Sequence, residues 1–235
     1  MTGDGAPAVA LRETCRLVCG AVPLWPYHRA RLESGGCGPD VLSAADAVVE
    51  REAQAWTGPD SSRLRLTVVV DGGGAADARV QRRLSSLDVP GGPIAVPVEV
   101  DAPPGLPLHA AKPADRSWWD AAQRRARSAG GDQAIVTLGG RILDGGTATV
   151  WLVIDGALCT PAAPDAVAGV ARAFVLERCS AVGLPVRVGD LTLTDLMRAD
   201  EVLLTNAFAG AVAVRGRGGP HCERVREEFA RIWSS

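Results

Sequence analysis

Of the 25 basic residues in this chain, all are arginine except one, Lys112. A GC-rich coding sequence explains the arginines, together with the abundance of alanine, glycine, valine and proline, and leaves the surviving lysine to be accounted for. A guanidinium serves wherever a solvated charge is needed, but it stays protonated. An ε-amine can lose its proton through desolvation or nearby cations and then attack a carbonyl carbon. Lys112 is therefore the candidate for amine chemistry. Asp144 precedes two glycines, a setting that by itself reads as a turn. The glycine-rich pieces DGGG and GRGG lack the strand, turn and helix context of a nucleotide loop. Six cysteines, at 15, 19, 37, 159, 179 and 222, are scattered and read as free thiols. Cys15 and Cys19 would share one face of a helix, yet no histidine or second cysteine pair lies near enough in sequence to complete a zinc set, so no metal is expected.

The elements that must position these residues follow from periodicity. A short apolar segment spans 15–19, and YHRARLES, within 26–34, has helical spacing. Leu42, Ala45, Val48, Val49 and Ala53 predict a second helix over 43–56, and the alternation in RLRLTVVVDGGG predicts a strand closed by a glycine turn. The prolines of GPIAVPVEV favour an edge strand. DAPPGLPLHAAKP, residues 101–113, carries four prolines and marks the domain boundary. Beyond it come a helix over 115–128, two hairpins turning at GG and DG, a helix over 166–182, a short strand near 186 and a helix over 193–198. Strands EVLLTNA and GAVAVRG and an amphipathic helix, ERVREEFARIW, end the series.

Composition bounds the whole. A 235-residue chain that is 47% hydrophobic and 22% charged can bury a sizeable core, and a net charge of -2 gives no reason to expect a nucleic-acid partner. No apolar run approaches the roughly 20 residues that cross a bilayer, so no membrane partner is expected. The first residues are charged where a secretory signal would need an apolar run, which predicts a cytoplasmic protein.

Several of these pieces, in their order, resemble the class IV family of pyridoxal-phosphate enzymes, which includes branched-chain and D-amino-acid aminotransferases and aminodeoxychorismate lyase. The pieces are His28, Arg31 and Leu32 in a His-x-x-Arg-Leu pattern, the lone lysine in KPADR, DGGTATVWLV, the helix start AVAGVAR after a Thr-Pro pair, and ADEVLLTNAFAGAVAV. The resemblance implies a two-domain α+β fold with a small N-terminal α/β domain (1–105), a linker (106–112) and a larger β-rich C-terminal domain (113–235). It implies pyridoxal 5'-phosphate as cofactor and a homodimer acting on a small amino substrate. It gives Lys112 the covalent link to the cofactor aldehyde and the proton transfer at the substrate carbon. It places Asp144 at the pyridine nitrogen, and Arg31, Gly169, Val170, Ala171, Asn206 and Ala207 around the phosphate.

Arg116, four residues after the lysine, and the Asn-Ala pair in TNAFAG resemble the lyase, so conversion of 4-amino-4-deoxychorismate to 4-aminobenzoate and pyruvate is the expected reaction. A class IV aminotransferase, or a degenerate non-catalytic dimer, is the alternative. Relative to the family pattern the chain starts late, shortly before Glu13 and Thr14. Asp144 replaces a usual glutamate, Thr149 stands where asparagine is common, and Tyr27 is the only tyrosine. The arginine for the substrate carboxylate is left open among Arg63, Arg65, Arg79, Arg82 and Arg83.

Overall fold

Alternation along LRETCRL buries every second side chain and leaves Arg12, Thr14 and Arg16 half-buried on the opposite face, so residues 11–17 form a strand. The computed structural model describes residues 6–56, 64–82, 85–106, 110–162, 164–181 and 183–234, which fall into two units. The first comprises 1–84 and 106–115, the second 85–105 and 116–235.

In the first unit, β1 (Leu11–Leu17) pairs antiparallel with β2 (Leu64–Val70), which pairs antiparallel with β3 (Ala76–Arg82). Helices α1 (Trp25–Ser34) and α2 (Pro39–Gln54) both carry a proline in the first turn, where its fixed φ is suitable and its missing N–H costs nothing. They cover one face of the sheet. Leu11, Leu32, Val41, Leu42 and Val70 form one cluster, and Cys15, Val48, Val49, Val68 and Ala78 another. The expected apolar segment at 15–19 is the end of β1 and a turn, so Cys15 is a buried strand residue and Cys19 an exposed turn residue rather than helical neighbours. β3 was not expected, because ADARVQR offers the alternation only small or isolated apolar side chains.

The second unit contains β4 (Ala95–Glu99), α3 (Ser117–Ser128), β5 (Gln133–Leu138) and β6 (Arg141–Gly145), with β4 parallel to β5 and β5 antiparallel to β6. Its larger sheet has the order β11-β10-β7-β8-β9. These strands are β7 (Thr149–Ile154), β8 (Ala157–Pro161), β9 (Val186–Gly189), β10 (Glu201–Asn206) and β11 (Gly210–Ala213). Helices α4 (Val170–Ala181), α5 (Leu193–Arg198) and α6 (Pro220–Trp233) complete it. Every side chain of β7 is buried, as a strand covered on both faces requires. Val150, Leu152, Val202 and Leu204 belong to one core cluster, while Phe174 of α4 lies tilted against Phe229 of α6 with ring centroids 4.8 Å apart. The β5–β6 hairpin turns on Gly139 and Gly140, with φ of 58° and 76°, which suits a two-residue turn of the primed kind.

This division differs from one cut at 106–112. Residues 85–105 build into the second unit because the backbone of β4 bonds to β5. The segment 106–115 joins the first because Arg12 N donates to Lys112 O at 2.9 Å and Ala114 N to Ala10 O at 2.7 Å.

Candidate functional site

Glu13 falls in the buried phase of β1, only 1% exposed, and a lone carboxylate there would be costly. Helix α1 answers it with two side chains spaced i, i+3 on one face. Arg31 Nε donates to Glu13 Oε1 at 2.9 Å, Arg31 Nη2 donates to Oε2, and His28 Nδ1 lies 2.5 Å from Oε2. Burial pushes the Glu13 pKa up, but the charge of Arg31, then His28, and their hydrogen bonds prevail and bring it down to about 2. Burial lowers the pKa of His28 from 6.5, against an opposing pull from Glu13, so the imidazole is neutral at pH 7. Its Nδ1–H then donates to the carboxylate. Nε2 is a buried acceptor with no hydrogen-bond partner among the described residues.

Lys112 approaches the same strand from its other face. Its segment runs beside β1, and Nζ donates to Thr14 Oγ1 at 3.3 Å. Thr14 is adjacent to Glu13 and points away from the helices. Lys112 and Arg31 are thus held one residue apart along β1 by groups on opposite faces.

The remaining expected residues lie in the second unit. Helix α4 starts at Val170 rather than near 166: Gly169 O accepts the first helical bond, from Ala173 N at 2.9 Å, and the prolines and small residues before it make no helical turn. The amides of the first helical residues, Val170 and Ala171 among them, have no partner within the helix. A Cβ at Gly169 would stand 2.5 Å from Thr149 Oγ1, so only glycine allows the helix start to approach β7 this closely. Thr149 pairs with Thr205 of β10, and Asn206 follows. The Asn206 side chain is committed to its own loop: Oδ1 accepts from Phe208 N and Ala209 N at 3.1 and 2.7 Å, and Nδ2 donates to Thr147 O at 3.3 Å. Ala207 is buried in that loop. Asp144, half-buried on β6, lies within electrostatic reach of Arg172 on α4, whose pKa burial pushes down and Asp144 partly restores. Arg116 Nη2 donates to Gly146 O at 2.9 Å and steadies the turn after Asp144.

The structure therefore gathers Gly169, Val170, Ala171, Asn206 and Ala207 at the Thr149 end of the β7–β10 pair, and links Asp144 to α4 through Arg172. Lys112 and Arg31 belong to the first unit. The sequence reading missed Glu13 as a buried charge and passed over Arg12 and Arg16; the signal for Glu13 was a carboxylate in the apolar phase of an alternating strand. Of the carboxylate-binding candidates, Arg65 and Arg79 are on β2 and β3, on the Thr14 face, and Arg82 ends β3. Arg63 and Arg83 lie outside the described residues.

The first unit thus carries a primary amine and an arginine fork, and the second a helix start and a carboxylate. Residues 10–216 match the family described as amino-transferase class IV. An aminodeoxychorismate lyase of Vibrio harveyi is 36% identical over 90 residues, 38% of this chain and 33% of that protein. A D-alanine aminotransferase of Listeria monocytogenes is 27% identical over 118 residues, 46% of this chain and 41% of that protein. The matched stretches thus span less than half the length of these curated relatives. The structure of a hypothetical aminotransferase from Mycobacterium tuberculosis, in its PLP-bound form, superposes with a TM-score of 0.77 at 19% identity, covering 99% of this chain and 93% of that one.

Proposed function

The chain belongs to the class IV amino-transferase family, and on that premise we propose that it binds pyridoxal 5'-phosphate and converts 4-amino-4-deoxychorismate to 4-aminobenzoate and pyruvate. The observation that carries the reading is the placement of the only lysine: its Nζ is positioned by Thr14 Oγ1, on a segment stitched to β1 by backbone hydrogen bonds. The residues fit the cofactor. Gly169 leaves the space beside Thr149 that a Cβ would fill, and the helix start it opens suits a phosphate, with amides and dipole both directed at the anion. In the other unit Arg31, oriented by its fork to Glu13, carries a charge suited to a phosphate. Asp144 supplies the carboxylate for the pyridine nitrogen.

When bound, the cofactor provides an aldehyde that captures amines and a ring that takes up the electrons released at the substrate carbon. Lys112 contributes the amine that gives way to the substrate amine, and Nζ then accepts the proton leaving the substrate carbon. Thr14 Oγ1 orients Nζ for that transfer. Asp144 keeps a proton on the ring nitrogen through its negative charge. The substrate's ring C–O bond then breaks, the departing enolate takes up a proton at its methylene carbon to become pyruvate, and the ring left behind is aromatic. The match to the Vibrio harveyi lyase supports lysis over amino transfer, while the D-alanine aminotransferase match supports the second reading, amino transfer. A homodimer in the cytoplasm belongs to the same proposal.

The test is incubation of the purified chain with pyridoxal phosphate and either 4-amino-4-deoxychorismate or an amino acid with an oxo-acid acceptor. Release of 4-aminobenzoate is the expected result. Keto-acid release alone would assign amino transfer, and neither product would leave a catalytically inert member of the family.

A further inference from the structure

The segment that carries Lys112 pairs with the start of β1 in a definite register. Leu11 and Pro113 face each other in an antiparallel bridge, flanked by the hydrogen bonds from Arg12 N to Lys112 O and from Ala114 N to Ala10 O. Arg12 and Lys112 are therefore directly opposite residues, whose side chains leave the same face with Cβ atoms about 5 Å apart. It is the face from which Lys112 Nζ reaches Thr14 Oγ1, two residues along β1 from Arg12. On its other side Arg12 faces Val69 of β2, which is apolar. Glu13, the carboxylate next to Arg12 in sequence, points to the opposite face and is held by Arg31 and His28. Two basic side chains directly opposed destabilise a strand pair. Arg12 is also half-buried, its Nε is withdrawn from solvent without an acceptor, and its side chain makes no hydrogen bond or ion pair among the described residues. A charged donor left unfilled is costly, and a ligand that brings the acceptor accounts for an arginine in this place.

Resting on the reading of Lys112 as the amine that gives way to a substrate amine, we propose that Arg12 is the residue that binds a carboxylate of that substrate. A ligand nitrogen brought to the place of Nζ lies beside the guanidinium through the cross-strand pairing alone, and a guanidinium matches a carboxylate with two parallel hydrogen bonds. The carboxylate fills the empty Nε donor and sets a negative charge beside two basic side chains that otherwise repel. Thr14 thus orients the lysine and Arg12 the substrate, from alternate positions of one strand. Arg65 on β2 and Arg79 on β3 are one and two strands farther from the lysine segment. Arg12 also sets specificity: an amine without a carboxylate leaves its donor unpaired, and a site built to bond a group discriminates strongly against the analogue that lacks it.

Calorimetric titration of the full chain, in the presence of pyridoxal phosphate, with benzoate and with benzamide, which has nearly the same shape and no charge, tests this without turnover. Benzoate binds more tightly than benzamide, and Arg12→Gln weakens benzoate by about ten- to a hundredfold, the usual worth of a hydrogen bond to a charged group, while leaving benzamide unchanged. Arg12→Lys, which keeps the charge and loses the fork, gives an intermediate loss, and it replaces Arg12→Gln as the deciding variant if the latter does not fold. Equal affinity of the unaltered chain for the two probes, binding of neither included, overturns the assignment. So does a benzoate affinity that the variants leave intact, or a loss that is equal for both probes. Inorganic phosphate that binds as tightly as benzoate and loses as much in Arg12→Gln also overturns it, because the arginine would then receive any anion. Borohydride labelling with pyridoxal phosphate separates this proposal from the one it rests on. A labelled Lys112 with benzoate indifferent to Arg12 ends the carboxylate assignment alone. An unlabelled Lys112 with Arg12-dependent benzoate binding supports the carboxylate site and ends the cofactor reading.

Discussion

A single ε-amine makes the central claim about this chain unusually clean to test. Lys112→Arg keeps the positive charge beside Thr14 but removes a nitrogen able to attack a carbonyl. Borohydride reduction in the presence of pyridoxal phosphate then labels the unaltered chain on the Lys112 peptide and leaves the variant without an internal label, as peptide mapping reads directly; 4-aminobenzoate release disappears with it. Glu13 is the second residue on which much depends. Glu13→Gln preserves size and removes the charge that Arg31 faces at 8% exposure. Breaking a buried pair by removing one partner costs about 3 to 5 kcal/mol, because the other charge stays behind uncompensated. Denaturant titration should show that loss, and a stability within 1 kcal/mol of the unaltered chain would mean that Arg31 finds another counter-charge.

Helix α4 and the strand it touches carry the next prediction. Gly169→Val drives a branched side chain into Thr149 Oγ1, so the helix start must withdraw from β7. Saturation should then require more pyridoxal phosphate, by about tenfold or more if one charge-assisted hydrogen bond is lost. Adding Thr149→Ala makes room and should return part of the affinity, and the size of that recovery in a double-mutant cycle measures the contact. Elements with strong periodicity were legible beforehand: α2, β2, the GG and DG hairpins and α6 all appear where the apolar pattern puts them. The failures share a cause. In β1 the buried phase holds Glu13 and Cys15 between arginines, so its alternation of burial is not an alternation of hydropathy. β3 is an edge strand recruited by pairing with β2 rather than by its own composition. The start of α4 could not be placed from a run of Ala, Pro and Gly, each of which punctuates more than one structure. Lys112 was singled out by residue type and by its place in KPADR, while its bond to Thr14 spans 98 positions and no local pattern reports it.

For the molecule as a whole, the buried Glu13, His28 and Arg31 group sets a direction for acid sensitivity. The His28 pKa is lowered from 6.5 on folding, so below that value the unfolded chain takes up the proton first and stability declines as pH falls. Glu13 adds to this lower down. Its pKa is about 2 when folded against an ordinary 4.5, so its contribution is fully present above 4.5 and is lost as pH falls toward 2. Urea midpoints measured from pH 7.5 to 3 should fall in two stages, and Glu13→Gln should flatten the second. A curve unchanged by that substitution would place the sensitivity elsewhere.

The route of the chain has its own consequence for synthesis. Residues 1–84 and 106–115 make one unit, yet β4 of the other lies between them in sequence. A ribosome therefore releases the α1–α2 layer and its three strands well before the stretch that runs along β1. The early part can collapse, but Arg12 N and Ala10 O gain their partners on residues 112 and 114 only when those emerge. By then the next strand has already left the tunnel, still awaiting β5 some 35 residues later. The amine thus arrives last in its own unit, so a nascent chain halted before residue 112 holds nearly all of that unit's core and none of its reactivity.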